Sequence, residues 1–456
     1  MIIEIGTLKS HIKTDNPKLL KALRALYSFK VPGAEFSPQY KNRHWDGKQD
    51  FISRGGTFRT GLLDRILKDL QKIDCTPELK YLEDYKEINH HKWEIEGFEF
   101  YPFQKKLVNR ALKNRRGIIK SPTGSGKTLI MAAIIKALHH KKIIILFNAK
   151  QLLKQTYLFL TEECDMTNIG ICYGEGFVYG DIMLCTVQSI EKILDTHLDF
   201  AEVILIDECH EFSNGKLTLA AINAFPEAVY RIGFTATPPS EAIPCHALEG
   251  ALGPVWEVAT TSSLIDDGKL TRPIIQLIDR PYNASGADDS FSYSEIYDDY
   301  IVHNEERNDL IKSIVDEIKN TNERARILIL TKSLDHGRTL EKVLGKGCKF
   351  IEGADSLGER YKNIANFRKY KGNSILIGTK ILQTGINIEE ITHFINARGM
   401  KSEIATLQAL GRALRRHDSK DRVYIYDFLD KEKYLKDHSK DRENYYRKEG
   451  HEVQII

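Results

Sequence analysis

Gly117-Ile118-Ile119-Lys120-Ser121-Pro122-Thr123-Gly124-Ser125-Gly126-Lys127-Thr128-Leu129-Ile130-Met131-Ala132-Ala133-Ile134-Ile135 joins a short apolar run, a glycine-bearing loop and a long apolar helical pattern without interruption. Such a loop cradles phosphate, because glycines let backbone N–H groups approach the anion and the N-terminus of the following helix adds its dipole. Thr123, Gly124, Ser125 and Gly126 would line the cradle, Lys127 would reach the β- and γ-phosphates, and the Thr128 hydroxyl would hold Mg²⁺. The loop departs from the usual pattern at its first position, which is Ser121 rather than Gly. The stretch implies a strand, a phosphate loop and a helix that bind a nucleoside triphosphate.

Working outward, short aliphatic runs recur on both sides of it. Lys142 to Phe147, Asp181 to Cys185, Val203 to Ile206 and Tyr230 to Phe234 alternate with helical segments, and so do Arg326 to Leu330, Lys349 to Ile351, Ser374 to Ile377, His393 to Ile395 and Val423 to Tyr426. Near-continuous aliphatic strands separated by helices mark parallel sheets covered on both faces. The pattern predicts an α/β chain with two doubly wound parallel-sheet lobes, over 91–265 and 266–435, after a small α+β domain at 1–90 and before a charged tail at 436–456, read as a solvated helix. The run Val203 to Ile206 ends in Asp207-Glu208-Cys209-His210, which puts two acids at the carboxyl end of a strand, where open α/β sheets bind ligands. Asp207 would join the Mg²⁺ shell, and Glu208 would polarise the attacking water.

In the first domain, Pro17 to Phe29 and Leu62 to Ile73 read as helices, and Pro32-Gly33, Asp46-Gly47 and Gly55-Gly56 as turns between short strands. Between Tyr40 and Leu63, Lys41, Arg43, Lys48, Arg54 and Arg59 interleave with Tyr40, Trp45, Phe51 and Phe58. That composition suits nucleic-acid contact, with cations on phosphates and rings on bases. It equally suits a twisted hairpin with a solvated basic face.

At 456 residues the chain exceeds one compact core, and a net charge of +3 says little about partners. No segment approaches the roughly 20 apolar residues of a membrane span, and the start lacks the pattern of a secretion signal. Seven scattered cysteines without a Cys-x-x-Cys pair imply inert thiols in a reducing cytoplasm, not disulfides or zinc.

The ordered motifs resemble the superfamily 2 helicases and translocases from residue 97 onward. Phe100-Tyr101-Pro102-Phe103-Gln104 is similar to that family's adenine-recognition element, which would make Gln104 a reader of the base. Thr235-Ala236-Thr237-Pro238 resembles the motif that couples hydrolysis to lobe movement; the resemblance gives His210, Thr235, Thr237 and Gln408 coupling roles. Asn148-Ala149-Lys150 and Thr186-Val187-Gln188-Ser189 resemble strand-contacting motifs, implicating Lys150, Thr186 and Gln188. Gly378-Thr379 through Thr384-Gly385-Ile386-Asn387 resembles the motif bridging strand and nucleotide, with Thr379 on the strand and Gly385 and Asn387 on the nucleotide. Gln408 to Arg416 resembles the arginine-finger motif. Arg412 and Arg415 are three apart, so on a helix they would share a face toward the γ-phosphate.

The resemblance narrows to the UvsW-type branched-DNA helicases of phages. Phe36-Ser37-Pro38, Asn42-Arg43-His44-Trp45-Asp46-Gly47 and Arg398-Gly399-Met400-Lys401-Ser402 match that group outside the shared motifs. It implies RecA-like lobes, ATP and Mg²⁺ as cofactors, and DNA as partner in branched or duplex form, such as forks and four-way junctions. It also implies DNA contact by Arg43, Trp45, Lys48, Arg54 and Arg59, and a monomeric or weakly associating cytoplasmic protein in phage recombination, repair and replication. An RNA helicase, a restriction-system motor and a nucleotide-gated clamp are the competing readings.

Overall fold

In the computed structural model of the chain, the described residues are 1–82, 92–195, 201–213, 222–279, 291–379, 388–401, 411, 413–417 and 420–456. They divide into two compact units, 1–121 with 126–258 and 122–125 with 259–456.

The first unit opens with strands β1 (Ile2–Ile5) and β2 (Lys9–Lys13) and helix α1 (Pro17–Leu26). Asn16 caps α1 by accepting from Leu19 N at 3.1 Å, and Pro17 fills the first turn, where its missing N–H costs nothing. Strand β3 (Ser28–Lys30) pairs antiparallel with β4 (Lys48–Asp50), carrying the basic-aromatic loop between them. β5 (Thr57–Arg59), helix α2 (Leu63–Gln71) and β6 (Glu78–Tyr81) complete a four-stranded sheet in the order β5-β2-β1-β6. Alternation in β1 buries Ile3 and Ile5, which meet Ile12, Leu23, Phe58, Ile66 and Leu70 in the module's core.

The same unit continues with α3 (Pro102–Asn114), β7 (Arg116–Lys120), α4 (Lys127–Ala137), β8 (Ile143–Phe147), α5 (Lys150–Leu158), β9 (Ile169–Tyr173), β10 (Gly176–Val178), β11 (Ile182–Thr186), β12 (Val203–Ile206), β13 (Tyr230–Thr235), α6 (Ala242–Leu252) and β14 (Val255–Glu257). The strands form one sheet in the order β10-β9-β11-β8-β12-β13-β7-β14, parallel except for β10. β8 is wholly buried because its side chains serve two cores: Ile143, Ile145 and Phe147 enter one, Ile144 and Leu146 the other. Its unbroken aliphatic sequence follows from that double coverage.

The first module rests on α6. A Cβ at Gly61 would lie 2.1 Å from Glu249 O, so the two backbones touch. Arg65 donates through Nε and Nη2 to the two Glu249 oxygens at 2.7 Å each, and the His246 ring lies among Tyr27, Phe29 and Phe51.

The second unit has β15 (Arg272–Ile278), α7 (Glu305–Thr321), β16 (Arg326–Leu330), α8 (Leu334–Leu344), β17 (Cys348–Ile351), α9 (Leu357–Lys369), β18 (Ser374–Gly378), β19 (His393–Asn396), β20 (Arg422–Phe428), α10 (Leu435–Lys448) and β21 (Glu452–Ile455). Its seven strands are all parallel, in the order β17-β18-β16-β19-β20-β15-β21. The α/β expectation with two parallel-sheet lobes therefore holds. The solvated tail does not: β21 pairs with β15, and α10 buries Leu435, Ser439, Arg442 and Tyr446. No helix among the described residues is long and apolar enough to cross a membrane.

Candidate functional site

The phosphate loop starts where β7 ends. Ser121 N donates to Thr235 O at 3.0 Å, tying the loop to β13, and Ser121 O accepts from Lys127 Nζ at 3.2 Å. Both roles are backbone roles, and Ser121 does not need the left-handed region; Gly124 and Gly126 do, at φ 84° and 81°. Neither of these two roles depends on which side chain position 121 carries. Gln104 is buried beside the loop: Tyr101 N donates to its Oε1 at 2.9 Å, and its Nε2 lies 2.5 Å from where a Cβ on Gly126 would sit. Lys127 and Thr128 form the first turn of α4, as the loop's spacing requires.

β12 carries the acids to the sheet's carboxyl edge. Asp207 N donates to Leu146 O at 3.1 Å, and Glu208 N to Asp207 Oδ1 at 3.1 Å. Glu208 adopts φ 46°, an unusual conformation for a non-glycine residue, at the turn that follows the strand. Buried His210 places Nδ1 3.5 Å from Glu208 Oε2 and 2.9 Å from Thr235 Oγ1, which also accepts from Thr237 N at 3.1 Å. His210, Thr235 and Thr237, expected to couple, are thus linked by hydrogen bonds across β12 and β13, with Glu208 Oε2 within 3.5 Å of His210 but not hydrogen-bonded to it. Asn148 Nδ2 adds a bond to Glu211 Oε2 at 2.9 Å.

The donor set fits Mg²⁺. Burial pushes the Asp207 carboxyl up to about 7, the Glu208 charge adds to the rise, and Lys127 opposes it. Glu208 Oε2 is buried without a hydrogen-bond partner. An acid pair short of positive charge, beside a loop with Thr128, suits a hard cation that takes its remaining ligands from phosphate and water. Among the described residues no three His, Cys, Asp or Glu side chains could cage a metal by themselves.

The expected nucleic-acid residues separate by accessibility. Lys150, the first residue of α5, places Nζ 4.5 Å from the centre of the Tyr173 ring, and Lys154 Nζ lies 5.5 Å from it. Tyr173 ends β9, one residue past Cys172, which pairs in register with Cys185 of β11. Lys154 and Tyr173 escaped the sequence reading; the i, i+4 lysines were the available signal, whereas β9 has no long aliphatic run. Thr186 is buried and donates to Ser189 Oγ at 3.1 Å, shaping the turn that leaves Gln188 exposed. In the first module Arg43, Lys48 and Arg54 are exposed, Phe36 is 75% exposed, and Trp45 Nε1 donates to Lys48 O at 2.7 Å. Arg59 differs: half-buried, it bonds Asn223 and packs against Gly250, so its side chain serves the module's seat on the lobe.

In the second unit Thr379 is half-buried just past β18. Arg415 does not share a helix face as expected: it sits in an antiparallel bridge with Leu270, and its carbonyl accepts from Thr271 Oγ1 at 3.2 Å. The bond from Thr271 N to Leu414 O, 2.7 Å, draws the chain out of the helix before Arg415. Its Nε is buried without a partner. Gly385, Asn387, Gln408 and Arg412 lie outside the described residues.

Models of known families match the chain in three consecutive blocks. Residues 8–80 match the N-terminal domain of the DNA helicase UvsW, 97–240 the res subunit of type III restriction enzymes, and 306–417 the helicase conserved C-terminal domain. The ATP-dependent DNA helicase uvsW of Enterobacteria phage T4 is 24% identical, over 92% of this chain and 89% of its own. A protein of a Sulfolobus islandicus filamentous virus named "Putative helicase 22" is 22% identical over 84% of this chain and 71% of its own. Among solved structures, the type ISP restriction-modification enzyme LlaBIII bound to DNA aligns with a TM-score of 0.58 at 15% identity, covering 83% of this chain and 33% of its own. Dbp5 of S. cerevisiae bound to RNA and ADP BeF3 aligns with 0.55 at 16% identity, covering 78% and 94%. Two parallel-sheet lobes, a phosphate loop joined to an Asp-Glu-x-His strand end, and these three blocks in order make the chain a superfamily 2 helicase with a UvsW-type N-terminal domain.

Proposed function

We propose that the chain is an ATP- and Mg²⁺-dependent DNA helicase that remodels branched DNA, driving branch migration and fork regression in phage recombination, repair and replication. It would work in the host cytoplasm as a monomer or weakly associating protein. The observation that carries the motor reading is the chain of contacts from Glu208 through His210 to Thr235 and Thr237. A hydrolytic carboxylate wired to a threonine turn gives ATP cleavage a mechanical outlet, which a nucleotide-gated clamp does not need. The phage T4 relative named an ATP-dependent DNA helicase, and the UvsW-type first block, favour DNA over RNA.

Lys127 would offset phosphate charge, and its present bond to Ser121 O would be exchanged for the γ-phosphate. Mg²⁺, held by Thr128 and Asp207, would supply charge neutralisation on the β- and γ-phosphates. Glu208 would orient the attacking water and accept its proton. His210, placed against Glu208 and Thr235, would report the carboxylate's state to the Thr235–Thr237 turn. Arg412 and Arg415 of the second lobe would stabilise the transition-state charge, a contribution on the order of 10³ to 10⁵ in rate. ATP turnover measured with a four-way DNA junction, a linear DNA duplex and a matched RNA junction tests the reading. The DNA junction is expected to stimulate most; equal or greater stimulation by RNA would overturn the DNA assignment.

A further inference from the structure

Gly411 and Arg415 stand in the stretch that resembles the arginine-finger motif, and within the second unit both lie against residues 122–125 of the phosphate loop. A Cβ at Gly411 would sit 2.6 Å from Thr123 Cβ and 3.0 Å from its Oγ1, so only glycine lets the motif's backbone come this close. A Cβ at Gly124 would sit 3.4 Å from Arg415 Cγ, so the Arg415 stem rests on the loop. Arg415 Nε is buried without a hydrogen-bond partner, and burial lowers the guanidinium's pKa, with Glu389 opposing the fall. A buried cation with an unspent donor beside a phosphate loop is set to meet an anion.

The backbone that carries this arginine is clamped. Three consecutive carbonyls accept one bond each: Ala413 O from Lys420 Nζ at 2.8 Å, Leu414 O from Thr271 N at 2.7 Å and Arg415 O from Thr271 Oγ1 at 3.2 Å. Lys420 and Thr271 are both buried. Lys420 Nζ also donates to Ile391 O at 2.9 Å, two residues before β19, and Lys420 N donates to His417 O at 3.1 Å, which turns the chain back on the motif. Burying an ammonium is poor stabilisation compared with apolar packing, so what Lys420 contributes is direction: it fixes the Ala413 carbonyl against the entry to β19.

We infer that Lys420 is a positioning residue for ATP hydrolysis, clamping with Thr271 the 413–415 backbone so that Arg415 is held against the phosphate loop. The inference rests on the proposed transition-state role of Arg415. Such a group acts only when held within a fraction of an ångström, and a misplacement near 1 Å costs about 10²-fold.

The test uses the full chain. Lys420→Met keeps an unbranched stem and loses both Nζ bonds; Thr271→Val keeps the shape and loses the bond to Arg415 O, while the backbone bond to Leu414 O stays. Lys420→Met is expected to lower DNA-stimulated kcat by about 10- to 100-fold and Thr271→Val by about threefold or more, with KM for ATP and the Kd for a four-way DNA junction within about twofold of wild type. Because Lys420 acts through Arg415, adding Lys420→Met to Arg415→Ala should cost less than about twofold more, a non-additivity that a general loss of stability does not produce. Wild-type kcat in folded Lys420→Met overturns the inference, and so does a loss confined to KM or an undiminished loss in the Arg415→Ala background. If Lys420→Met fails to fold, wild-type kcat in Thr271→Val overturns it. Wild-type kcat in Arg415→Ala sinks the arginine reading and the inference with it; a loss there beside wild-type kcat in Lys420→Met sinks the positioning role alone.

Discussion

Replacing Gly61 by valine should unseat the first module from its lobe. A Cβ there would lie 2.1 Å from Glu249 O, 2.7 Å from Gly250 O and 2.8 Å from Gly253 N, and all three are backbone atoms that cannot swing aside. Ordinary contact needs about 3.5 Å, so α6 must retreat by roughly 1 Å or more. Two sets of contacts depend on that closeness. The Arg65–Glu249 fork joins an Arg side chain that is 40% exposed, so its loss costs about 1 kcal/mol, not a buried pair's value. The His246 ring lies 5.7, 4.6 and 5.4 Å from the centres of Tyr27, Phe29 and Phe51, and three such contacts together are worth about 2–3 kcal/mol. The sum, about 3 to 4 kcal/mol, should appear in scanning calorimetry as a separate early transition or a drop of about 6–16 °C in the unit's melting. Arg65→Ala should produce only the smaller part. A Gly61→Val chain that melts as one unit at the wild-type temperature would refute the seating described.

Thr235→Ala removes the oxygen between His210 and Thr237 and should depress ATP-driven junction dissociation at least fivefold more than ATP turnover, a coupling loss of about 1 kcal/mol or more; equal losses in the two assays would break the proposed relay. Lys48→Ala and Arg54→Ala should each reduce the salt dependence of DNA binding by about one ion, whereas Arg59→Ala should lower melting and leave that slope alone; a slope change for Arg59→Ala would return it to the DNA surface. Burial holds His336 down at about 3 and His393 at about 4, so both stay neutral in the folded second unit until well below the unfolded value near 6.5. Stability is therefore complete above that value and falls as pH drops below it, by up to about 1.4 kcal/mol per pH unit for each histidine. Denaturant titrations between pH 7 and 5 should give a shallower slope for His393→Phe than for the wild-type chain, by up to about 1.4 kcal/mol per pH unit, His438 and His451 being lowered by burial as well, and an unchanged slope would contradict the assignment.

The strands most legible in sequence are those with two covered faces. β8 and β12 announce themselves as Ile-Ile-Ile-Leu-Phe and Val-Ile-Leu-Ile, and the acids that follow β12 fall where a parallel sheet binds ligands. β21 is the opposite case. Glu452-Val453-Gln454-Ile455 lies at the sheet's edge with one hydrogen-bonding neighbour, so its side chains need no aliphatic run, and nothing local separates it from a tail. Arg442 is hidden for a related reason. Its burial is decided by Asp427 and Asp430, beyond the reach of any helical periodicity in the charged segment around it. Arg59 and Arg54 stand in the same basic stretch, yet one meets Asn223 across more than 160 residues and the other faces solvent. Arg415 misled because its spacing from Arg412 is helical, while the bonds from Thr271 that end the helix come from far upstream. Long-range partners, absent from any local pattern, account for each of these differences.

The central claim is a DNA motor driven by the Lys127–Asp207–Glu208 site, and ATP-driven dissociation of a synthetic four-way junction, beside a simple partial duplex, tests it most directly. The wild-type chain is expected to dissociate the junction with ATP and Mg²⁺, in preference to the partial duplex, while Lys127→Ala binds the same junction and leaves it intact. Dissociation by Lys127→Ala at the wild-type rate, or an intact junction with the wild-type chain, would contradict it.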